Sequence, residues 1–288
     1  MTFNRRDFLR CSAAVAAGLS TGRWLHANEE KEGQGSGFGG FTVGVQSYTF
    51  RKFPLEQALK RTQELGLKYA EFYNAHVPLN ASSEKLDAVK KLCGEYGVTP
   101  IAFGVESFSK NHDANKKKFE FGKALGIKHL SADPDPDSFD SLDKLVDEYK
   151  ISIAIHPHGP SGGKLHRWYS AEVILNAVKD HHPLIGTCLD TGHLIRAAQL
   201  GAKLDPAAEV RTMGARNFGM HLKDHDNARK TDVVFGKGAL DVPEVLKALR
   251  EVKFNGYIAI EYEANENNPS PDVKECVAIL KESIKKLG

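Results

Sequence analysis

Four short apolar runs in the second half of this 288-residue chain each end in a side chain able to bind a metal. They are Ile151–Ile155 before His156, Ile185–Leu189 before Asp190, Phe218–Met220 before His221, and Tyr257–Ile260 before Glu261. A chain that repeats a buried strand and then places one imidazole or carboxylate at its carboxyl end has few folds open to it. A parallel barrel brings those ends to a single mouth, where the active sites of that architecture sit.

The rest of the chain supports the same reading. Strands are expected at Thr42–Tyr48, Tyr69–Tyr73, Pro100–Val105, His129–Ala132, Ile151–Ile155, Ile185–Leu189, Phe218–Leu222 and Ile258–Ile260. Segments with helical apolar spacing alternate with them: Leu55–Leu65, Ser83–Tyr96, Asn115–Leu125, Ser141–Glu148, Ala171–Lys179, Pro206–Met213, Val242–Val252 and Pro271–Leu287. Gly66, Gly97 and Gly126 suit left-handed helix ends, and Pro54, Pro206 and Pro243 suit first turns. No Gly-rich dinucleotide fingerprint follows the first strand, which favours a closed (β/α)8 TIM barrel over an open doubly wound sheet. About 250 residues suffice for such a barrel, so residues 41–288 are expected to form one domain.

Residues 1–27 need a separate account. Asn4-Arg5-Arg6-Asp7-Phe8-Leu9-Arg10, followed by the mildly apolar run Cys11–Leu19, resembles a twin-arginine export signal, with Leu25-His26-Ala27 as the expected cleavage site. The apolar run is too short to span a membrane. Export to the periplasm by the twin-arginine route is expected, with no stable membrane insertion after cleavage. The segment carries four arginines against one aspartate, a charge of +3, so the formal +2 of the whole chain becomes about −1 without it. Nothing then remains to attract nucleic acid. Residues 28–40 read as a flexible, Gly-rich linker. Cys93, Cys188 and Cys276 are too far apart in sequence for a metal cluster and read as buried thiols, with one Cys93–Cys276 bridge as the alternative in an oxidising compartment.

Strand parity sharpens the metal reading. Side chains alternate across a strand, so Ser152, Ala154 and His156 share one face, as do Gly186, Cys188 and Asp190, Gly219, His221 and Lys223, and Ala259 and Glu261. The bulky residues between them, Phe218 included, would pack under the helices. All four candidate ligands would then point into the barrel above small neighbours. Two imidazoles and two carboxylates suit Mn²⁺, Co²⁺, Fe²⁺ or Zn²⁺ better than Mg²⁺ or Ca²⁺, which prefer all-oxygen shells.

At these residues the chain resembles the xylose-isomerase-like barrel family of sugar isomerases and epimerases. The matching segments are Cys188-Leu189-Asp190-Thr191-Gly192-His193, His221-Leu222-Lys223-Asp224, Gly236-Lys237-Gly238-Ala239-Leu240-Asp241 and Ile260-Glu261-Tyr262-Glu263. The resemblance implies that Asp190, His221 and Glu261 ligate a divalent metal, with Mn²⁺ expected ahead of Co²⁺ or Zn²⁺, and that His193 faces substrate or supports a ligand. Family epimerases carry a glutamate at the end of the fifth strand. Here Ala154-Ile155-His156-Pro157-His158-Gly159 resembles an exported subgroup with a His-x-His-Gly motif. His156 can still ligate, and His158 either ligates or faces substrate.

The implied function is a metal-dependent sugar isomerase or epimerase working through an enediolate on a small carbohydrate. A lyase or hydratase acting on a 3-keto-glycoside or cyclitol is the alternative, because one base beside a metal is enough for it. Candidate catalytic groups are Glu261, His158, His193 and Lys223. Candidate substrate contacts are Gln46, Glu71, His76 and Trp168. Each has a plainer reading: a barrel filler for Gln46 and Tyr48, a buried salt bridge for Glu71, solvent for His76, the packed start of a helix for Trp168, and an ion pair with Asp224 for Lys223. Gly236-x-Gly238 either cradles a phosphate or makes a tight loop. A nuclease sharing the barrel and a non-enzymatic sugar-binding barrel are the remaining readings; near-neutral charge and too few ligands for three zinc ions oppose the first.

Overall fold

The computed structural model describes residues 37–288. The expected signal segment 1–27 and the first part of the expected linker, 28–36, lie outside the described residues. Of the remaining linker, Phe38 is 2% exposed and belongs to the main apolar core, so the packed body begins before the expected boundary at residue 41. Lys281 lies over its ring, 4.9 Å from the centroid.

Eight parallel strands close into one barrel: β1 (Thr42–Gln46), β2 (Tyr69–Phe72), β3 (Thr99–Phe108), β4 (His129–Pro134), β5 (Ser152–Ile155), β6 (Ile185–Asp190), β7 (Asn217–Leu222) and β10 (Tyr257–Ile260). A two-stranded antiparallel hairpin, β8 (Asp224–Asp226) and β9 (Thr231–Val233), stands apart from it. Around the barrel run α1 (Leu55–Glu64), α2 (Ser83–Glu95), α3 (His112–Leu125), α4 (Phe139–Tyr149), α5 (Ala171–Val178), α6 (Thr191–Arg196), α7 (Pro206–Met213), α8 (Val242–Glu251) and α9 (Ser270–Lys286). All eight expected strands and eight expected helices are present. The hairpin and the single-turn α6 were not expected, since neither is long enough to show a period.

Local chemistry fixes where these helices start. Ser82, Asn111, Ser170, Asp205 and Asp241 each accept a backbone N–H from the first turn that follows, relieving one of its unpaired donors. Gly126 closes α3 at φ 84°, a left-handed conformation that costs glycine nothing. The first strand ends at Gln46, earlier than expected. Its side-chain oxygen accepts the Tyr48 N–H and turns the chain into a 3-10 segment, Ser47–Phe50.

Parity holds in the core. Val43, Val45, Phe103, Leu130, Ile153, Ile155, Leu189, Met220, Leu222, Ile258 and Ile260 pack beneath the helices, while Ala102, Ala154, Cys188, Tyr257 and Ala259 form a separate inner cluster. Phe218 departs from the expectation. The register slips between Thr187 and Cys188, leaving Phe218 as a bulge residue. Its ring reaches inward to lie 6.5 Å from that of His129, and it approaches Gly186 so closely that a Cβ there would lie 2.7 Å from a ring carbon.

His129 therefore sits on an apolar floor, between Phe218 and Tyr257, with Nδ1 2.7 Å from Ser152 Oγ. Burial pushes its pKa down from 6.5 to about 4. Between those values the unfolded chain binds a proton that the folded one refuses, so stability is complete above pH 6.5 and declines as pH falls toward 4. The loss from this one residue is on the order of 3 kcal/mol. Thermal or urea unfolding across pH 7 to 4 should show that slope, and His129→Gln should flatten it. An unchanged slope in the variant would assign the acid sensitivity elsewhere.

Candidate metal centre and active site

The four predicted ligands meet at the barrel mouth. His156 continues β5 by one residue, its N–H bonded to Ala132 O, and Glu261 continues β10 with its N–H on Leu222 O. Asp190 and His221 are register partners on β6 and β7. His156 Nε2 lies 3.0 Å from His221 Nδ1 and 3.4 Å from Asp190 Oδ2. His221 Nδ1 is 3.3 Å from Glu261 Oε2 and 3.8 Å from Asp190 Oδ2. Neighbouring ligands each about 2.1 Å from one ion lie about 3–3.5 Å apart, so the spacing matches a first-row divalent cation.

The surroundings aim these atoms. Asp190 Oδ1 accepts the His193 N–H and caps α6, while the buried Oδ2 accepts no hydrogen bond. An ion at the centre of the four would complete it. Glu71 is fully buried below, with Oε2 2.8 Å from His221 Nε2, which turns His221 Nδ1 toward the other three. Carboxylates behind metal-bound imidazoles play this part widely. Glu71 makes the buried ion pair that was its plainer reading and does not line the cleft.

Lys223 is also buried. Its Nζ lies 2.8 Å from Glu261 Oε2, 2.6 Å from Glu263 Oε1 and 3.2 Å from Asp190 Oδ2. It does not pair with Asp224. Burial alone would raise the Asp190 and Glu261 carboxyls, but Lys223, aided by nearby imidazoles, holds both well below the usual carboxylate range. Burial works against the charge on His221 as well, yet Cys188, Glu71 and Glu261 keep its pKa well above the ordinary value.

A cleft of about 410 Å³ opens above the four ligands. Gln46, His158 and His193 line it, together with Tyr48, Tyr73, Glu106, Arg196 and Glu263, which sequence reasoning had not singled out as contacts, Tyr48 excepted. His158 is not one of the four convergent ligands. Its ring packs 4.7 Å from that of His156, and its ligand atom groups with those of His156 and His193 within 4.8 Å. Burial and the neighbouring His156 and His166 push its pKa down to about 3. His193 Nδ1 accepts the Gly159 N–H, so its other nitrogen carries the proton when the ring is neutral.

Two expected contacts fall elsewhere. Trp168 is 4% exposed, donates Nε1–H to Pro134 O and packs edge-on against Phe139, so it belongs to the core. His76 bonds Phe53 O and packs against Tyr73 with ring centroids 4.7 Å apart; it props a cleft residue without lining the cleft. The Gly236-x-Gly238 loop is a tight loop. The N–H groups of Gly236, Gly238 and Leu240 all converge on the Asp224 carboxylate, at 2.8–2.9 Å, which fills the place a phosphate would take. Cys93, Cys188 and Cys276 are buried free thiols.

The model of the xylose isomerase-like TIM barrel matches residues 59–283. The chain belongs to that family. Residues 2–22 match the twin-arginine translocation signal sequence, which supports export by that route. No helix among the described residues is long and apolar enough to cross a membrane. Comparison with curated proteins gives no match. Among solved structures, this xylose isomerase-like barrel is 28% identical to an uncharacterized protein from Parabacteroides distasonis ATCC 8503, covering 86% of this chain and 99% of that one with a TM-score of 0.65. The D-psicose 3-epimerase of Clostridium cellulolyticum H10, solved with D-tagatose, shares the fold at 15% identity, 84% and 98% coverage and a TM-score of 0.64. A D-tagatose 3-epimerase-like protein does so at 20% identity, 86% and 98% coverage and a TM-score of 0.66.

One divalent ion per chain should be found by elemental analysis of the exported protein, and Asp190→Ala or His221→Ala should abolish it. Glu71→Gln, which leaves the four ligands in place, should weaken Mn²⁺ binding about 10–100-fold in a chelator competition. An unaltered affinity would show that Glu71 does not orient His221.

Proposed function

We propose that this barrel is a divalent-metal-dependent isomerase or epimerase acting on a sugar or keto-sugar through an enediolate. The observation that carries the reading is the meeting of His156 Nε2, Asp190 Oδ2, His221 Nδ1 and Glu261 Oε2 under a cleft lined mostly by residues with polar side chains. The fold shared with proteins named as sugar 3-epimerases supports the substrate class. When bound, the ion supplies Lewis acidity to a carbonyl and the hydroxyl beside it.

The chain's own groups supply the proton transfers. Glu261 lines the cleft and also belongs to the ligand set, so its carboxylate is the base for a carbon-bound proton beside the carbonyl. Lys223, an ammonium 2.8 Å from Glu261 and 2.6 Å from Glu263, holds the Glu261 carboxylate charged and in place beside the cleft wall. His158 and His193, both held neutral by burial, offer nitrogen donors or acceptors on the other side. Gln46 and Tyr48 are placed to orient hydroxyls. Export by the twin-arginine route puts the folded enzyme in the periplasm.

A second reading, elimination or hydration of a 3-keto-glycoside or cyclitol, is favoured by one feature. Of the two carboxylates among the four ligands, only Glu261 lines the cleft. Incubating the metal-loaded protein with keto-sugars and 3-keto-glycosides in D₂O, with products resolved by NMR, separates the two. Isomerisation or epimerisation gives a product of unchanged composition, with deuterium incorporated at most, whereas elimination releases water or an aglycone. Glu261→Gln should lower turnover about 10²–10⁴-fold. Turnover that survives this change would remove Glu261 from the chemistry.

A further inference from the structure

The β8–β9 hairpin has no part in closing the barrel, yet it builds a second cavity of about 330 Å³ beside the cleft. Arg196 and Glu263 line both spaces, so the two adjoin. Within the hairpin, His225 on β8 faces Asp232 on β9 in register, with Nδ1 2.9 Å from Asp232 Oδ1. Asp232 Oδ2 accepts the Glu263 N–H at 3.3 Å, which ties the pair to the cleft wall.

A neutral imidazole that donates Nδ1–H to a carboxylate carries a bare lone pair at Nε2. His225 is 4% exposed, and its Nε2 makes no hydrogen bond among the described residues. A buried acceptor without a donor is costly, and such groups are usually completed by a ligand or a water. The rest of the cavity wall is rich in donors. Arg196 and Lys230 have no carboxylate partner among the described residues, and Gln199 and Thr231 line it too. Acceptors at His225, Asp232 and Glu263 beside donors at Arg196 and Lys230 suit a hydroxylated ring, since each hydroxyl both gives and takes a hydrogen bond.

We propose that this cavity is a second sugar subsite, in which His225 Nε2, oriented by Asp232, accepts a hydroxyl of a ring joined to the sugar held at the four-ligand cluster. The substrate is then a two-ring glycoside rather than a free monosaccharide. The inference rests on the sugar reading above.

The test is ring-nitrogen NMR and calorimetry on the Zn²⁺-loaded protein, titrated with the two-ring keto-sugars lactulose, isomaltulose and turanose and with single-ring D-fructose and D-tagatose. At least one two-ring sugar should shift the His225 nitrogens and bind about tenfold or more tighter than either monosaccharide. Asp232→Asn should bring the ratio of two-ring to single-ring affinity close to one, and Lys230→Ala, on the exposed wall, should lower it two- to threefold. If Asp232→Asn does not fold, the Lys230→Ala ratio decides. Silent His225 signals with every two-ring sugar, or an unchanged ratio in the variants, would overturn the subsite. Two-ring binding at His225 without turnover would sink the isomerase reading and leave the subsite standing. Turnover of monosaccharides with His225 silent would do the reverse.

Discussion

The structure depends on keeping six ionisable side chains dry in one place. Glu71, His156, Asp190, His221, Lys223 and Glu261 are each less than a tenth exposed at the barrel mouth. Removing a charge from water costs several kcal/mol unless an opposite charge and good hydrogen bonds replace the solvent. Here each charge faces its opposite: Glu71 meets His221 from below, and Lys223 meets Asp190 and Glu261 from the side. Only a closed barrel supplies eight strand ends rigid enough to hold such a set. The small residues beneath it, Ala154, Cys188 and Ala259, leave the room.

Much of this was legible in the sequence because the barrel imposes two simple periods. Alternation along each strand predicted which side chains turn inward, His156, Asp190, His221 and Glu261 among them, and these four meet. What failed to show was long-range or irregular. Phe218 turned inward because of a one-residue slip in register that no alternation pattern can reveal. Trp168 and His76 carry side chains that suit sugar binding, yet each found a backbone carbonyl and an aromatic partner in the packing instead. Glu71 was visible as an inward carboxylate, but its partner stands 150 residues away. Arg196 and Glu263 offered a signal that went unused: Arg196 lies three residues beyond His193 at the end of α6, and Glu263 closes the quoted segment Ile260–Glu263.

The loops after β7 follow the same electrostatic rule on a smaller scale. Asp224 accepts four backbone N–H groups, from His225, Gly236, Gly238 and Leu240. A carboxylate so surrounded organises the loop without an external anion. Gly238 is confined by it, since a Cβ there would lie 2.4 Å from Asp224 Oδ1. The glycine pattern that resembles a phosphate cradle is a loop folded around its own anion. By fixing the base of the hairpin, Asp224 also fixes where His225 stands.

Charge balance then bears on what belongs at the centre. Glu71, Asp190, Glu261 and Glu263 bring four negative charges around Lys223 and His221. With His221 protonated, one ammonium and one imidazolium leave two of the four uncompensated. A divalent ion in place of the imidazolium proton leaves one. The exchange would bring the pocket closer to neutral and would set a second cation beside Asp190 Oδ2, which pairs with Lys223 at 3.2 Å but accepts no hydrogen bond. It also requires His221 to lose its proton, so ion and proton compete for the same nitrogen. Cys188, Glu71 and Glu261 raise the pKa of His221, and the same two carboxylates would favour a divalent cation, because the barrel can bury them only beside a positive charge.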